Sequence, residues 1–477
     1  MLQRGKQMCF SRNLKKNLWI LTEERPKIRV LRQILEEFAA DHGIGAFIDN
    51  LRILPIVKNN RFVFTYELIG FRCNKIDKIY IKTVSGNSSF VDFLVFYQDK
   101  EPVETDKPIY AIEETKTDDS ESRNTGVYQR CSKFVFLNNY YPNVKKIMLY
   151  NLQIEQKEEP TQTNVFGTRM LLTLGVKIVG KKLDKNIFVP FHDVDELIDF
   201  KNHMRRPPQG NVPIIITKYK DRIEVSGRLV KSGSLSHDPN IGALSIIANV
   251  LRVLGWKKDI VITQHGLVQK HVENKDNKFI LIANILGIKL QGLVIPVTKP
   301  KLDYWHYDIL GEKLGTIFIH LVVESFTEGY SIFENHAGCE KGYFITPKGE
   351  HIPLAKYEDR DAYKAGNKEK IIYIPDLVLL DPKNKEIINI EGKKYERRFY
   401  GIEELNNYDV VERDYIHKHY PKFKIIRTVV LYGSDNEKIL EVEIGFLLNK
   451  KGQMVLGIKA PKIFVEGINN LLDFWKN

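Results

Sequence analysis

The sequence predicts an α/β fold made of two related units, and three observations carry that prediction. Apolar residues recur at helical spacing in some segments and form short β-branched runs in others, the two kinds of segment alternate, and one arrangement of strands and acids occurs twice. The 477 residues are enough for two domains with sizeable cores, and 43% hydrophobic with 28% charged residues excludes a disordered chain.

The first helix is expected over Ile28 to His42, where Val30, Leu31, Ile34, Leu35 and Phe38 form an apolar stripe. Strand-like runs follow at Phe62 to Ile69, Ile79 to Val84, Phe90 to Tyr97 and Ile109 to Glu114, then a helix over Thr125 to Asn138 and a strand over Val144 to Tyr150. Residues His203 to Pro213 concentrate Pro and Gly and mark a boundary, so the expected domains are 1–205 and 212–477. Beyond it, Ile214 to Ile216 and Arg222 to Val225 read as strands, and Ile241 to Leu254 and Gly311 to Phe326 as helices. Phe279 to Val297 is the most membrane-like stretch. Asn284, Lys289 and Gln291 interrupt it, and its β-branched residues and glycines read better as buried strands.

The repeat is specific. Val91-Asp92-Phe93-Leu94-Val95, Ala111 to Lys116, and Tyr141-Pro142 before a strand ending Leu149-Tyr150 are echoed in order by Pro375-Asp376-Leu377-Val378-Leu379, Ile388 to Lys393, and Tyr420-Pro421 before a strand ending Leu431-Tyr432. In the second copy, Ile371 to Leu380 is expected to be a strand delivering Asp376. A turn at Asp381 to Lys385 leads into a strand carrying Glu391 and Lys393, which share a face because side chains alternate along a strand. Two carboxylates make a hard oxygen site for Mg²⁺, which can activate water and neutralise phosphodiester charge, and the lysine can orient or help deprotonate that water. In the first copy the same logic selects Asp92, Glu114 and Lys116; Glu113 is expected on the opposite face. The competing reading of a single copy is a surface hairpin with an ion pair worth about 0.2–1 kcal/mol.

These residues resemble the PD-(D/E)XK nucleases, in particular the type II restriction endonucleases. Pro375-Asp376 with Glu391-Gly392-Lys393 carries the motif in full, and Val91-Asp92 with Glu114-Thr115-Lys116 lacks only the proline. The resemblance implies two restriction-endonuclease-like domains, each a mixed β-sheet flanked by helices. It also implies Mg²⁺-dependent hydrolysis of double-stranded DNA to 5′-phosphate ends, with Mn²⁺ able to substitute. Asp92, Glu114, Asp376 and Glu391 would be the ligands. Some members add an acid from an upstream helix, for which Glu37 and Glu324 are candidates, with salt bridging as the competing role. Two centres in one chain resemble the enzymes that cut an asymmetric site as monomers, one centre per strand; a homodimer needs only one centre per chain. A separate methyltransferase would be the expected partner, and residues 212–370 would contribute recognition.

Lysine and arginine outnumber aspartate and glutamate 72 to 60, a net charge of +12 that suits a polyanionic partner. Arg123, Gln129, Arg130, Arg397 and Arg398 follow the two lysines and either touch phosphate or line solvated helix faces. The four cysteines form no CxxC pair and no apolar leader follows the N-terminus, so the expected location is the cytoplasm. Gly175 to Lys181 has P-loop spacing, but Lys182 stands where Ser or Thr is needed and the intervening residues read as a strand, so no ATP is expected. No S-adenosylmethionine motif is present. His417 and His419, and His336 to Cys339, lack the spaced partners of a zinc motif. Two alternatives stay open: a repair, recombination or defence nuclease, and a DNA-binding protein in which one unit is not catalytic.

Overall fold

Local signals set most of the elements. The apolar stripe over residues 30 to 38 forms helix α1 (Ile28–Asp41), after strand β1 (Lys16–Thr22) and before β2 (Phe47–Lys58), β3 (Arg61–Arg72) and β4 (Ile76–Thr83). Next come β5 (Phe93–Tyr97), β6 (Tyr110–Thr115), α2 (Gly126–Tyr140), β7 (Lys145–Tyr150), α3 (Gln162–Thr173), β8 (Lys177–Val179) and α4 (Val194–His203). The middle of the chain forms β9 (Ile215–Lys218), β10 (Arg222–Ser226), α5 (Pro239–Val253), β11 (Asp259–Thr263), α6 (Lys278–Leu286) and β12 (Ile288–Leu290). The remainder forms α7 (Lys313–Phe326), β13 (Tyr330–Glu334), β14 (Lys341–Ile345), β15 (His351–Ala355), β16 (Leu377–Asp381), β17 (Glu386–Lys394), α8 (Arg398–Glu404), β18 (Lys424–Tyr432), β19 (Phe446–Leu448), β20 (Met454–Leu456) and α9 (Lys462–Lys476).

This computed structural model describes residues 15–86, 90–115, 126–150, 160–204, 214–229, 239–299, 303–307, 311–336, 338–339, 341–356, 371–434 and 445–476, without the side chains of 126–131 and 239–240. The protein is mixed α/β, with several mixed sheets flanked by helices. Among the described residues no helix is long and apolar enough to cross a membrane.

The chain forms two units, each discontinuous in sequence. Unit I comprises Arg29–Phe38 and Gly86–His306; unit II comprises Met1–Ile28, Ala39–Ser85 and Tyr307–Asn477. The expected division at 205–212 is therefore not where the units separate. Helix α5 packs on α2, α3 and α6, so the middle of the chain belongs with the strands around Asp92.

In unit I, β5 runs antiparallel to β6, and β6, β7 and β8 are parallel, with α2 and α3 as crossovers. A second sheet has the order β9-β10-β11-β12. Residues 279 to 297, expected as strands, contain α6 instead. Asn277 accepts from the Phe279 N–H to cap its start, and Gly287 closes it at φ 63°, a left-handed conformation that a side chain disfavours. The P-loop lookalike contains the short strand β8, as its β-branched residues indicate.

In unit II, a six-stranded sheet runs β13-β16-β17-β18-β19-β20. The hairpin β16–β17 is antiparallel, and β17 and β18 are parallel, with Glu391 opposite Val429. Helix α7 packs on β17 and β18, and α8 packs on the same two strands. The expected strand from Ile371 begins only at Leu377, leaving Asp376 at its mouth. The inner strands are buried throughout: Leu377 to Leu380, Ile387, Ile388 and Ile390, and Val429 to Tyr432. Only water exclusion on both faces makes such continuous apolar runs favourable.

Candidate active sites

The end of the β16–β17 hairpin collects three of the expected side chains. The Asp376 N–H donates to Ile390 O at 3.1 Å, which fixes the strand mouth. Its Oδ2 accepts the Gly392 N–H at 2.9 Å. Gly392 faces α7, where an added Cβ would lie 2.6 Å from Thr316 Cγ2 and 3.1 Å from Asp376 Oδ2, so this position between Glu391 and Lys393 tolerates only glycine without rearrangement. Alternation turns Glu391 and Lys393 the other way, toward α8 and Tyr408. Lys393 Nζ pairs with Glu391 and reaches Glu404 at 2.8 Å, and the Tyr408 hydroxyl donates to Glu391 Oε2.

The electrostatics oppose two buried charges. Burial pushes the Asp376 carboxyl up from its ordinary value, against the Gly392 N–H and Lys393. Burial pushes Glu391 up further, joined by the Asp376 charge and a hydrogen bond with Glu404. Burial would lower Lys393, but Glu391 and Glu404 outweigh it and hold the amine above its usual range, so it remains an ammonium. Glu312, at the start of α7, also raises Asp376 electrostatically; no sequence spacing pointed to it.

The site in unit I has a different register from the expected one. Asp92 Oδ2 accepts the Glu114 N–H at 2.7 Å, the bond that Gly392 makes to Asp376. Phe93 pairs with Ile112 as Leu377 pairs with Ile390, so Glu113 corresponds to Glu391 and Thr115 to Lys393. Glu113 Oε2 accepts from the Asp92 N–H at 3.3 Å and from Lys133 Nζ at 2.9 Å, while Lys133 lies 3.5 Å from Asp92 Oδ1. The expected Glu114 meets Asp92 through its backbone N–H, the Glu113 carboxylate accepts from the Asp92 N–H, and the neighbouring ammonium comes from α2. Lys116 and Arg123 lie outside the described residues, as do the side chains of Gln129 and Arg130.

Lys278 opens α6 beside this group. Burial pushes its amine down to about 8, helped by Lys133 and opposed by Glu113. An ordinary lysine titrates near 10.4, so between about pH 8 and 10.4 the unfolded chain holds the extra proton and stability rises with pH. Lys278→Met is expected to stabilise the protein at pH 7, with the gain shrinking across that window. Denaturant melts at several pH values measure it, and a gain that stays constant to pH 10.4 would refute the assignment.

The two candidate upstream acids have other partners. Glu37 pairs with Lys145 at 2.7 Å and with Lys177, the salt-bridging alternative. Glu324 pairs with Arg25 at 2.8 Å and His320 at 3.0 Å. Arg397 is exposed, and Arg398 stacks on Tyr395 and Phe399. Phe399 and Tyr400 are exposed on α8, the helix that brings Glu404 to Lys393. Elsewhere in unit II, Lys58, Arg61, Lys450 and Lys451 line a pocket of about 640 Å³. No family model matches the chain, and no curated protein or solved structure does either.

Proposed function

We propose that the chain is a Mg²⁺-dependent type II restriction endonuclease cutting double-stranded DNA, with one centre in each unit. The observation that carries this reading is that Asp376, bonded to the Gly392 N–H, raises Glu391 electrostatically, both carboxyls being pushed toward protonation with the ammonium of Lys393 on Glu391. Two adjacent carboxylates in a buried site repel, and a divalent cation with a preference for hard oxygen ligands relieves both the repulsion and the desolvation. The donor set therefore fits Mg²⁺, with Asp376 and Glu391 as its protein ligands. When bound, it would supply a Lewis acid that neutralises charge on the scissile phosphate.

The side chains have distinct tasks. Tyr408 donates to Glu391 and orients its carboxylate, and the Gly392 N–H does the same for Asp376. Lys393, steadied by Glu404, keeps its proton, so it stabilises developing phosphate charge and orients the attacking water rather than acting as a base. Water adds to phosphorus as the bond to the 3′-oxygen breaks, leaving a 5′-phosphate and a 3′-hydroxyl. The net charge of +12, the basic pocket and the exposed Arg397, Phe399 and Tyr400 near Lys393 support a nucleic-acid partner. A restriction role would need a separate methyltransferase. A second reading, in which unit I binds DNA without cutting it, draws on Thr115 at the position that Lys393 holds in unit II.

Unmethylated phage DNA incubated with the purified chain is expected to give discrete fragments with Mg²⁺ or Mn²⁺ and none with EDTA. A smear would favour a nonspecific repair or defence nuclease, and intact DNA under every divalent ion would end the enzyme reading.

A further inference from the structure

Unit II holds a second constellation that the nuclease reading does not use. His320 lies on α7 one turn beyond Thr316, Glu334 ends β13 and His336 follows two residues later. One donor atom from each of these three lies within 4.8 Å of the others. The hydrogen bonds around them assign the tautomers. Glu324 Oε2 takes Arg25 at 2.8 Å, and Oε1 accepts from Ser331 Oγ at 3.1 Å and lies 3.0 Å from His320 Nε2. A carboxylate only accepts, so His320 Nε2 carries a proton. Thr316 gives its hydroxyl proton to Lys313 O at 2.9 Å, and therefore accepts from His336 Nδ1 at 3.1 Å.

Those bonds leave His320 Nδ1 and His336 Nε2 facing each other at 2.9 Å, each with a lone pair aimed at the other. Either a bridging proton or a metal ion relieves the repulsion of such a pair. Beside it, Glu334 Oε2 is buried without a hydrogen-bond partner, 3.9 Å from His320 Nδ1 and 3.7 Å from Arg25 Nε. Lys27 engages the other oxygen, Oε1, at 3.1 Å, and Oε2 has the longer ion pair to Arg25 beside it. Tetrahedral zinc, with bonds of about 2.0–2.1 Å, spaces its donors roughly 3.3 Å apart, between the two observed donor separations.

We propose that His320 Nδ1, His336 Nε2 and Glu334 Oε2 bind one divalent transition-metal ion of the zinc class. Two imidazoles and a carboxylate suit zinc rather than magnesium, and Glu324 and Thr316 are the outer partners that orient the rings. The ion clamps α7 to the end of β13. It acts next to the nuclease site, since Thr316 also abuts Gly392 and the Asn335 N–H donates to Asp376 O at 2.7 Å. The site stands independently of the nuclease reading.

The test uses the full chain, stripped with EDTA and reloaded with Zn²⁺ or Co²⁺. The expected result is one zinc per chain by mass spectrometry, intense tetrahedral Co²⁺ bands, and a Tm raised by Zn²⁺ but not by Mg²⁺. Asp376→Asn should retain all three, whereas Glu334→Gln and His336→Asn should bind zinc at least about tenfold more weakly. No retained zinc with no Zn²⁺-dependent rise in Tm of the parent chain would overturn the proposal and leave a shared proton between the rings. Equal zinc affinity in the variants would overturn it as well. Absence of DNA cleavage would leave these readouts unchanged.

Discussion

If the proposed unit II centre cuts DNA, Asp376→Asn is expected to slow that cut strongly while leaving the chain folded and at least as stable as the parent. The amide keeps an oxygen for the Gly392 N–H, now 2.9 Å from Oδ2, and removes a charge that burial disfavours. Loss of this proposed metal ligand should slow that strand cut by at least about 10²-fold. Activity falling while stability holds or rises is the signature of a group kept against its own solvation for chemistry. If each centre cuts one strand, this variant nicks DNA, and Asp92→Ala nicks the opposite strand at the same site. Strand-labelled substrates read the outcome; full double-strand breaks by either variant would sink the one-strand-per-centre idea. Glu113→Gln and Lys133→Ala should match Asp92→Ala, with Glu114→Gln milder. The opposite ranking would return the unit I site to Glu114 and Lys116.

Phe318→Ala is expected to cost unit II about 3–5 kcal/mol, the range for truncating a buried aromatic. Phe318 is fully buried on α7, stacked on Phe446 at 5.6 Å and tilted against Phe62 at 4.8 Å. Removing the ring leaves a cavity that β3, α7 and β19 cannot close together. Helix α7 also presents Thr316 to Gly392, so the proposed cleavage should become temperature-sensitive before it is lost. A denaturant midpoint unchanged from the parent would mean that α7 is not seated in this core.

Much of the fold was legible because its elements are locally determined. Helix α1 and the strands of the β16–β17 hairpin follow from the period of their apolar residues. Helix α6 was misread because its β-branched residues resemble strand, while its decisive signals are the Asn277 cap and the left-handed Gly287. The unit boundaries were not legible, since the packing of α5 on α2 and α3 joins segments far apart in sequence.

The sequence by itself determined that acids lie at the ends of two apolar hairpins, Asp376 with Glu391 and Lys393 in one and Asp92 with a pair of glutamates in the other. Tertiary structure alone decided which glutamate faces Asp92. A one-residue change of register turns every side chain to the other face, and the pairing of Phe93 with Ile112 selects Glu113. It also decided the third partner there, because Lys133 arrives from a helix rather than two positions along the strand. The histidine–glutamate group was invisible for the same reason. His336 has no spaced partner in sequence, and His320 reaches it only because α7 packs against β13.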